Sequence, residues 1–242
     1  MDKSAESYIK MMQMLKEVWP LFNPTTISMD FEQGAIQSAL QLFPNAMIAG
    51  CLFHLVKNFK KKINRAGLTA RYHDPEFSIR ARMIMSLAFV PPDNIWRDFE
   101  VLRAHLLQYD QALAPVLNWF RRNYVGTAMN PPGFPVNWWS CYERTLTGED
   151  RTNNYAEAAH RRLQDALGVD HPTVGRLLQD LKRIQRNHDT HYEQYLAGQD
   201  APKKRRIYLD ADRRILAKVH LYEGANLIEY LRGLAHNIVM DQ

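Results

Sequence analysis

The spacing of apolar residues predicts a strand–helix–strand unit near the start of the chain. An amphipathic helix over residues 4 to 19 comes first, because apolar side chains recur every three or four residues until Pro20 ends the pattern. Residues 25 to 29 then alternate between apolar and polar positions, as a half-buried strand does. A helix over residues 35 to 43 and a second apolar run over residues 46 to 53 follow. Because a helix joins the two strands, we expect them to be parallel.

Both predicted strands end at residues that could carry chemistry. Asp30 follows the first strand, and the pair Cys51 and His54 ends the second. In open α/β sheets, ligands bind outside the carboxyl ends of parallel strands, so these residues are candidates for a site. Local sequence alone favours a simpler role for Asp30, as the N-cap of the next helix. Cys51 and His54 fit a buried thiol and a hydrogen-bonded histidine better than a structural zinc site, because zinc usually takes four ligands and the chain has no second close pair.

The remainder of the chain has the pattern of helices separated by short joints rich in helix breakers. Residues 126 to 152, with several prolines and a tryptophan pair, predict an ordered or functional loop instead. The expected fold class is therefore α/β with a large excess of helix. The predicted helices cover residues 55 to 66, 76 to 89, 93 to 108, 110 to 123, 153 to 168, 171 to 198, 207 to 220 and 224 to 235.

Composition indicates the class of protein and its cellular compartment but does not identify its function. The 242 residues are 46% hydrophobic and 24% charged, which is ordinary for a globular chain. A formal charge of +5 is weak support for a polyanionic partner. Two cysteines in a chain of this length favour a reducing intracellular setting over a disulfide scaffold. No apolar run approaches the roughly 18 residues of a membrane span, so we expect no membrane partner.

An acid and several basic clusters are further candidates for function. Glu157 lies in a helix that Asn153 and Asn154 could cap, where the helix dipole alone would favour an acid. The basic residues could contact phosphates, and a solvated helix face explains any one cluster equally well. The run KKRR also has the pattern of a nuclear localisation signal. The basic clusters are Lys57, Lys60, Lys61 and Lys62; Arg161 and Arg162; and Lys203, Lys204, Arg205 and Arg206.

Taken in order, two long segments resemble the transposases of Mutator-like elements, the MULE family. The segments are ISMDFEQGAIQSALQLFPNAMIAGCLFHLVKNFKKK and FPVNWWSCYERTLTGEDRTNNYAEAAHRRLQDALGVDHPTVGRLLQDLKRIQ, and the similarity covers nearly the whole chain. Its sharpest parts are Asp30 with the downstream Phe43 and Pro44, the Cys-x-x-His motif, and the Thr-Asn-Asn-x-x-Glu motif that ends at Glu157. The resemblance implies an RNase H-like core interrupted by an all-helical insertion, with an Asp, Asp, Glu triad that cuts and joins DNA.

The resemblance also implies roles for individual residues. Asp30 corresponds to the second acid and Glu157 to the third, both as ligands of two Mg²⁺ or Mn²⁺ ions, because hard oxygen ligands suit these metals. Cys51 and His54 match a motif beside the site, where His54 could orient a ligand or contact DNA. By this resemblance residues 1 to 54 form a partial RNase H-like core, residues 55 to 150 the helical insertion and loop, and residues 151 to 242 the third acid and a helical carboxyl-terminal region.

The first acid of the family triad has no counterpart in this sequence. The strands that carry it normally precede the helix at residues 4 to 19, and Asp2 lies too close to the start to replace it. We therefore expect an impaired fragment of a nuclear DNA transposase, or a non-catalytic nuclear module that binds DNA or a protein; a homo-oligomer is compatible with both. We expect the isolated chain to bind DNA without cutting it, and its sheet to have an unpaired edge.

Overall fold

A computed structural model describes residues 4–127, 129–168, 172–200, 205–223 and 226–238 of the chain. Of these residues 70% are helical and 4% lie in strands, which confirms the α-rich α/β class. The strands are β1 (Thr26–Met29) and β2 (Met47–Gly50). The helices are α1 (Ala5–Val18), α2 (Gln33–Leu42), α3 (Leu52–Arg65), α4 (Pro75–Ser86), α5 (Ile95–Tyr109), α6 (Ala114–Phe120), α7 (Val136–Trp139), α8 (Tyr142–Leu146), α9 (Asn154–Leu167), α10 (Val174–Leu196), α11 (Arg206–Val219) and α12 (Leu227–Ala235).

The chain divides into two compact units. The first unit contains the described residues up to Thr152 and those from Ala211 onward, and so includes the sheet. The second unit runs from Asn153 to Asp210 and contains α9, α10 and the first turn of α11. The division into three sequence segments implied by the family resemblance stays a prediction.

The two strands form a parallel pair connected by α2. Thr26 is in register with Met47, and Met29 is in register with Gly50. Within the described residues the sheet has only these two strands, so the outer edge of β1 carries no strand there. Helix α1 packs on α2 but has no fully buried residue. Several apolar side chains of this region, such as Met14 at 57% exposed, therefore face solvent.

Most helices and strands lie close to the positions that the spacing of apolar residues predicts. Strand β2 is shorter than predicted, because its run of apolar residues continues into α3, which begins at Leu52. The predicted loop at residues 126 to 152 contains the short helices α7 and α8, so the prediction of a stretch without helix is wrong there. The predicted helix over residues 110 to 123 is broken into a turn of 3₁₀-helix, α6 and a π-helical turn over Arg121–Val125.

The main core lies among the helices of the first unit. Trp139 anchors the loop to this core, since its indole Nε1 donates to the Tyr124 carbonyl at 2.9 Å and its side chain is fully buried. Aromatic rings of this size each bury a large apolar area and so contribute strongly to the stability of the helical unit. The largest buried side chains include Trp139, Tyr124, Phe59, Phe77, Phe89, Phe99 and Phe120.

Among the residues with described positions, no helix combines the length and the hydrophobicity that a membrane span requires.

Candidate active-site cleft

The carboxyl ends of the two strands bring Asp30 and Cys51 side by side. The register pairs Met29 with Gly50, so the next residue of each strand lies at the same edge of the sheet. The Cys51 amide donates to the Met29 carbonyl at 3.0 Å, which continues the ladder by one bond. The predicted convergence of these residues is therefore observed, and it follows from the parallel pairing of two strands that end together.

Asp30 and His54 form a close polar pair at this edge. Asp30 Oδ1 lies 2.8 Å from His54 Nδ1, with the carboxylate side chain 47% exposed and the imidazole 16% exposed. Glu32 occupies the N-cap position of α2 and makes no capping bond with its side chain, so Asp30 does not hold the N-cap position that local sequence favours. A half-exposed carboxylate fixed by a mostly buried histidine can accept a ligand from solvent without a large change in its own position.

An open cleft of about 480 Å³ lies beside the Asp30–His54 pair. One wall is the start of α2, and the other is a face of α3 formed by His54, Asn58 and Lys61. These three residues are spaced four and three apart, so they share one side of the helix. The cleft therefore combines two acids, a histidine, two amides and an ammonium group. The lining residues are Asp30, Phe31, Glu32, Gln33, Gly34, His54, Asn58 and Lys61.

Glu32 is a second acid of the cleft, which the sequence interpretation did not single out. The Tyr8 hydroxyl, from α1, donates to Glu32 Oε1 at 2.7 Å. The hydrogen bond to Glu32 raises the pKa of Tyr8, and burial and the charges of Glu32 and Asp30 raise it further. Tyr8 thus stays a neutral donor at physiological pH and holds the Glu32 carboxylate in place.

Gly50 allows the loop of residues 126 to 152 to close against the end of β2. A Cβ atom at Gly50 would lie 2.7 Å from the Phe31 ring and 2.8 Å from the Trp138 carbonyl oxygen, both too close for a real contact. Phe31 in turn makes edge contacts with the rings of Tyr124 and Phe134. The side chain after Asp30 is therefore packed into the aromatic core, which fixes the backbone that carries Asp30.

A buried guanidinium ties the end of β2 to α8. Arg144 Nη2 donates to the Gly50 carbonyl at 3.1 Å and to the Ser140 carbonyl at 2.9 Å, and its side chain is almost fully buried. The same nitrogen lies 3.4 Å from Cys141 Sγ. A buried charge is tolerated only when hydrogen bonds replace its water, and the two carbonyls serve that purpose.

The two cysteines are free and fully buried. Burial raises the pKa of the Cys141 thiol, which the guanidinium groups of Arg144 and Arg151 partly oppose. Cys51 occupies the N-cap position of α3 without a side-chain capping bond. Burial of Cys51 agrees with the expectation of a buried thiol. His54 lies within ion-pair distance of Asp30, and its expected role as a hydrogen-bonded histidine stays a prediction.

Arg151 fixes the last residues of the loop beside the start of α3. The Leu52 amide donates to the Arg151 carbonyl at 2.9 Å. The Arg151 guanidinium forms an ion pair with Asp212 and lies over the Phe89 ring, 5.7 Å from its centroid. The backbone at Arg151 is therefore held next to the start of α3, within the first unit.

Glu157 lies in the second unit, in the first turn of α9. Asn153 holds the N-cap position of this helix, as one of the two predicted capping residues, but its side chain makes no capping bond. Asn154 is the first residue of the helix. The Glu157 amide donates to the Asn153 carbonyl at 3.2 Å, and the residue is partly buried. The convergence of Glu157 with Asp30 stays a prediction.

The predicted basic residues lie mostly at the surface. Lys57, Lys60 and Lys61 are exposed on α3, while Lys62 is partly buried. Arg161 and Arg162 are exposed on α9, within the second unit. Lys203 and Lys204 of the predicted localisation signal lie outside the described residues, whereas Arg205 and Arg206 are exposed at the start of α11. Of these residues, Lys61 also lines the cleft.

The cleft fits part of a divalent-metal site but not a complete one. Asp30 and Glu32 supply carboxylate oxygens, the ligands that Mg²⁺ prefers. In the part of the chain that the structure describes, no three His, Cys, Asp or Glu side chains are grouped closely enough to hold a metal ion. A metal at Asp30 would therefore need at least one more acid from elsewhere.

Four residues of the site were not identified from the sequence, and they differ in the sequence signal that could have marked them. Asn58 could have been found, because it follows His54 by one helical turn on the same face as Lys61. Glu32 has only its closeness to Asp30 as a signal. Arg144 and Tyr8 have none, because their partners lie far away in the sequence.

Comparison of the chain with family models, curated proteins and solved structures finds no match. The proposal for its function therefore draws on the residue pattern and on the geometry of the cleft.

Proposed function

We propose that this chain is a DNA transposase of the MULE kind, or part of one, and that the cleft beside Asp30 handles the phosphate backbone of DNA. Asp30 and Glu157 would supply two carboxylates of a divalent-metal site for DNA cleavage and strand transfer. The observation that carries the proposal is the Asp30–His54 pair, 2.8 Å apart, at the joined carboxyl ends of two parallel strands. This is the edge at which α/β sheets usually bind their ligands.

The charge of the cleft supports a phosphate substrate. Lys61 lines the cleft with Asn58, and Lys57 and Lys60 extend the positive charge along α3. The apolar residues Leu55, Phe59 and Ile63 bury the opposite side of the helix, so the lysines are held at the surface by the packing of α3. Contacts of this kind position a nucleic-acid backbone and carry no sequence information.

Each polar residue of the cleft would have a separate role in phosphoryl transfer. Asp30 would be a metal ligand, and His54 Nδ1 would keep its carboxylate in one orientation. Tyr8 would hold Glu32 in the same way. Lys61 would neutralise charge on the phosphate near the scissile bond. Divalent metal ions, when bound, supply Lewis acidity for both the attacking and the leaving oxygen.

A second candidate is a module that binds DNA without cutting it. The exposed lysines of α3 favour it, because phosphate contacts need only clustered positive charge. The two candidates share the DNA-binding surface and differ in whether the acids act on the bound strand.

A titration of duplex DNA, combined with a nicking assay in Mg²⁺ or Mn²⁺, tests the proposal. We expect binding by the isolated chain that weakens steeply with salt, since Lys and Arg contacts release counterions from DNA. We expect no nicking, because Asp30 and Glu157 alone make an incomplete acid set for two metals.

Nicking that is lost in Glu157→Gln and in Asp30→Asn, but kept in the control Glu149→Gln, would show that another acid completes the set and would favour the transposase. Binding that does not respond to salt would contradict the electrostatic basis of both candidates.

A further inference from the structure

Helix α10 carries an apolar seam that its own unit leaves exposed. The seam residues are spaced alternately four and three apart over the whole helix, a strict repeat of 3.5 residues. Its apolar members are between 41% and 74% exposed. A repeat of 3.5 is the signature of a helix that supercoils around a partner helix, whereas an isolated surface helix follows 3.6. The seam consists of Val174, Leu178, Leu181, Gln185, His188, Tyr192 and Tyr195.

The seam is distinct from the face of α10 that packs within the unit. Leu177, Asp180 and Ile184 are partly buried and share another side of the helix. Arg183 Nη2, close to this side, donates to the Ala166 carbonyl at the end of α9, 2.6 Å away. Helix α9 therefore packs on the face of α10 that contains Leu177, Asp180 and Ile184. In the described residues of the second unit, the apolar side chains of the seam are exposed to solvent.

We propose that α10 pairs with α10 of a second copy of this chain as an antiparallel coiled coil. In this arrangement Leu181 meets Tyr192 of the other copy, and Leu178 meets Tyr195. The polar residues Gln185 and His188 meet at the centre. A polar pair at the centre of an otherwise apolar seam fixes the register of two helices at some cost in stability. The proposal does not depend on the proposed DNA chemistry.

Charge selects both the partner and the direction of pairing. Lys182 and Asp189 flank the seam on the side away from α9, and Gln185 Nε2 donates to Asp189 Oδ1 at 2.7 Å along this edge. Antiparallel pairing of two copies places Lys182 opposite Asp189 twice, by symmetry. Parallel pairing would instead place Lys182 against Leu177 and Asp189 against Ile184. Flanking charges of opposite sign are the feature that sets orientation in coiled coils.

Sedimentation of the whole chain over a range of concentrations tests the proposal. We expect a reversible dimer. Lys182→Asp and Asp189→Lys should each raise its dissociation constant about tenfold, because each single reversal creates two like-charged pairs across the interface. An equimolar mixture of the two variants should recover wild-type affinity, since the mixed dimer pairs every acid with a base. Arg186→Asp, which makes the same charge change on the solvent side of α10, is the control and should leave the dimer unchanged.

A chain that stays monomeric throughout would overturn the proposal and leave the seam for a different protein. A dimer that neither single reversal weakens, or a mixture that recovers no affinity, would also overturn it, because the two helices would then not be antiparallel. Far-ultraviolet circular dichroism of each variant at a fixed concentration separates loss of pairing from loss of the helix itself.

Discussion

Replacing Arg144 with Met is expected to lower the free energy of unfolding by about 3 kcal/mol, because the carbonyls of Gly50 and Ser140 lose a buried donor without gaining water. Met fills much of the same volume, so the effect measures lost hydrogen bonds more than lost packing. Urea denaturation followed by tryptophan fluorescence gives the change, provided that the slope with urea stays constant.

The control for this experiment is Arg122→Met, which removes an exposed guanidinium close to the same loop. It should change the free energy of unfolding by no more than about 0.5 kcal/mol, as surface substitutions usually do. An equal, small effect of both substitutions would mean that the end of β2 does not depend on the buried guanidinium of Arg144.

Reversing two charges on α3 is expected to cost most of the DNA affinity. Lys57→Glu combined with Lys61→Glu should weaken duplex binding about 100-fold at low salt, because two phosphate contacts become repulsive. The slope of log affinity against log salt should fall by about two, one unit for each lost contact. Fluorescence anisotropy of a labelled duplex at several salt concentrations measures both quantities.

The matched control is Lys10→Glu with Arg122→Glu, which changes the net charge equally at exposed positions of α1 and of the turn after α6. Its affinity should fall by much less, since it acts only through the overall field of the protein. Equal losses in the two double variants would show that binding responds to net charge and that α3 is not the DNA-binding surface.

The strands and the ligand edge of the sheet could be predicted because their signals are local. Alternation over residues 25 to 29 and the apolar run before Cys51 define two strands, and a connecting helix makes them parallel. Asp30 directly follows β1, and His54 lies in the first turn of α3 just after β2, so their meeting follows from the two strands ending at the same edge of the sheet. The end of β2 is harder to predict, because its run of apolar residues continues into α3 without a break. In α3, Leu55 and Phe59 are buried because that face of the helix packs into the helical core.

The surroundings of the cleft could not be predicted, because they depend on contacts distant in sequence. Arg144 reaches Gly50 across 94 positions and Tyr8 reaches Glu32 across 24, so no local pattern marks either pair. The need for Gly50 comes from the Trp138 carbonyl of α7, which is remote in sequence. The seam of α10 has a local signal, since its 3.5-residue repeat is visible in the sequence, but only its exposure distinguishes it from the face that packs on α9.

The most direct test of the proposed function is a crystal structure of the chain with a DNA duplex and Mn²⁺, in which anomalous scattering locates the metal. We expect a metal about 2.1 Å from an Asp30 carboxylate oxygen, with the Glu157 carboxylate within about 8 Å of that of Asp30 and a DNA phosphate beside Lys61. Carboxylates more than about 15 Å apart, with no metal at Asp30 and DNA bound elsewhere, would contradict it, because such an arrangement cannot form one two-metal site.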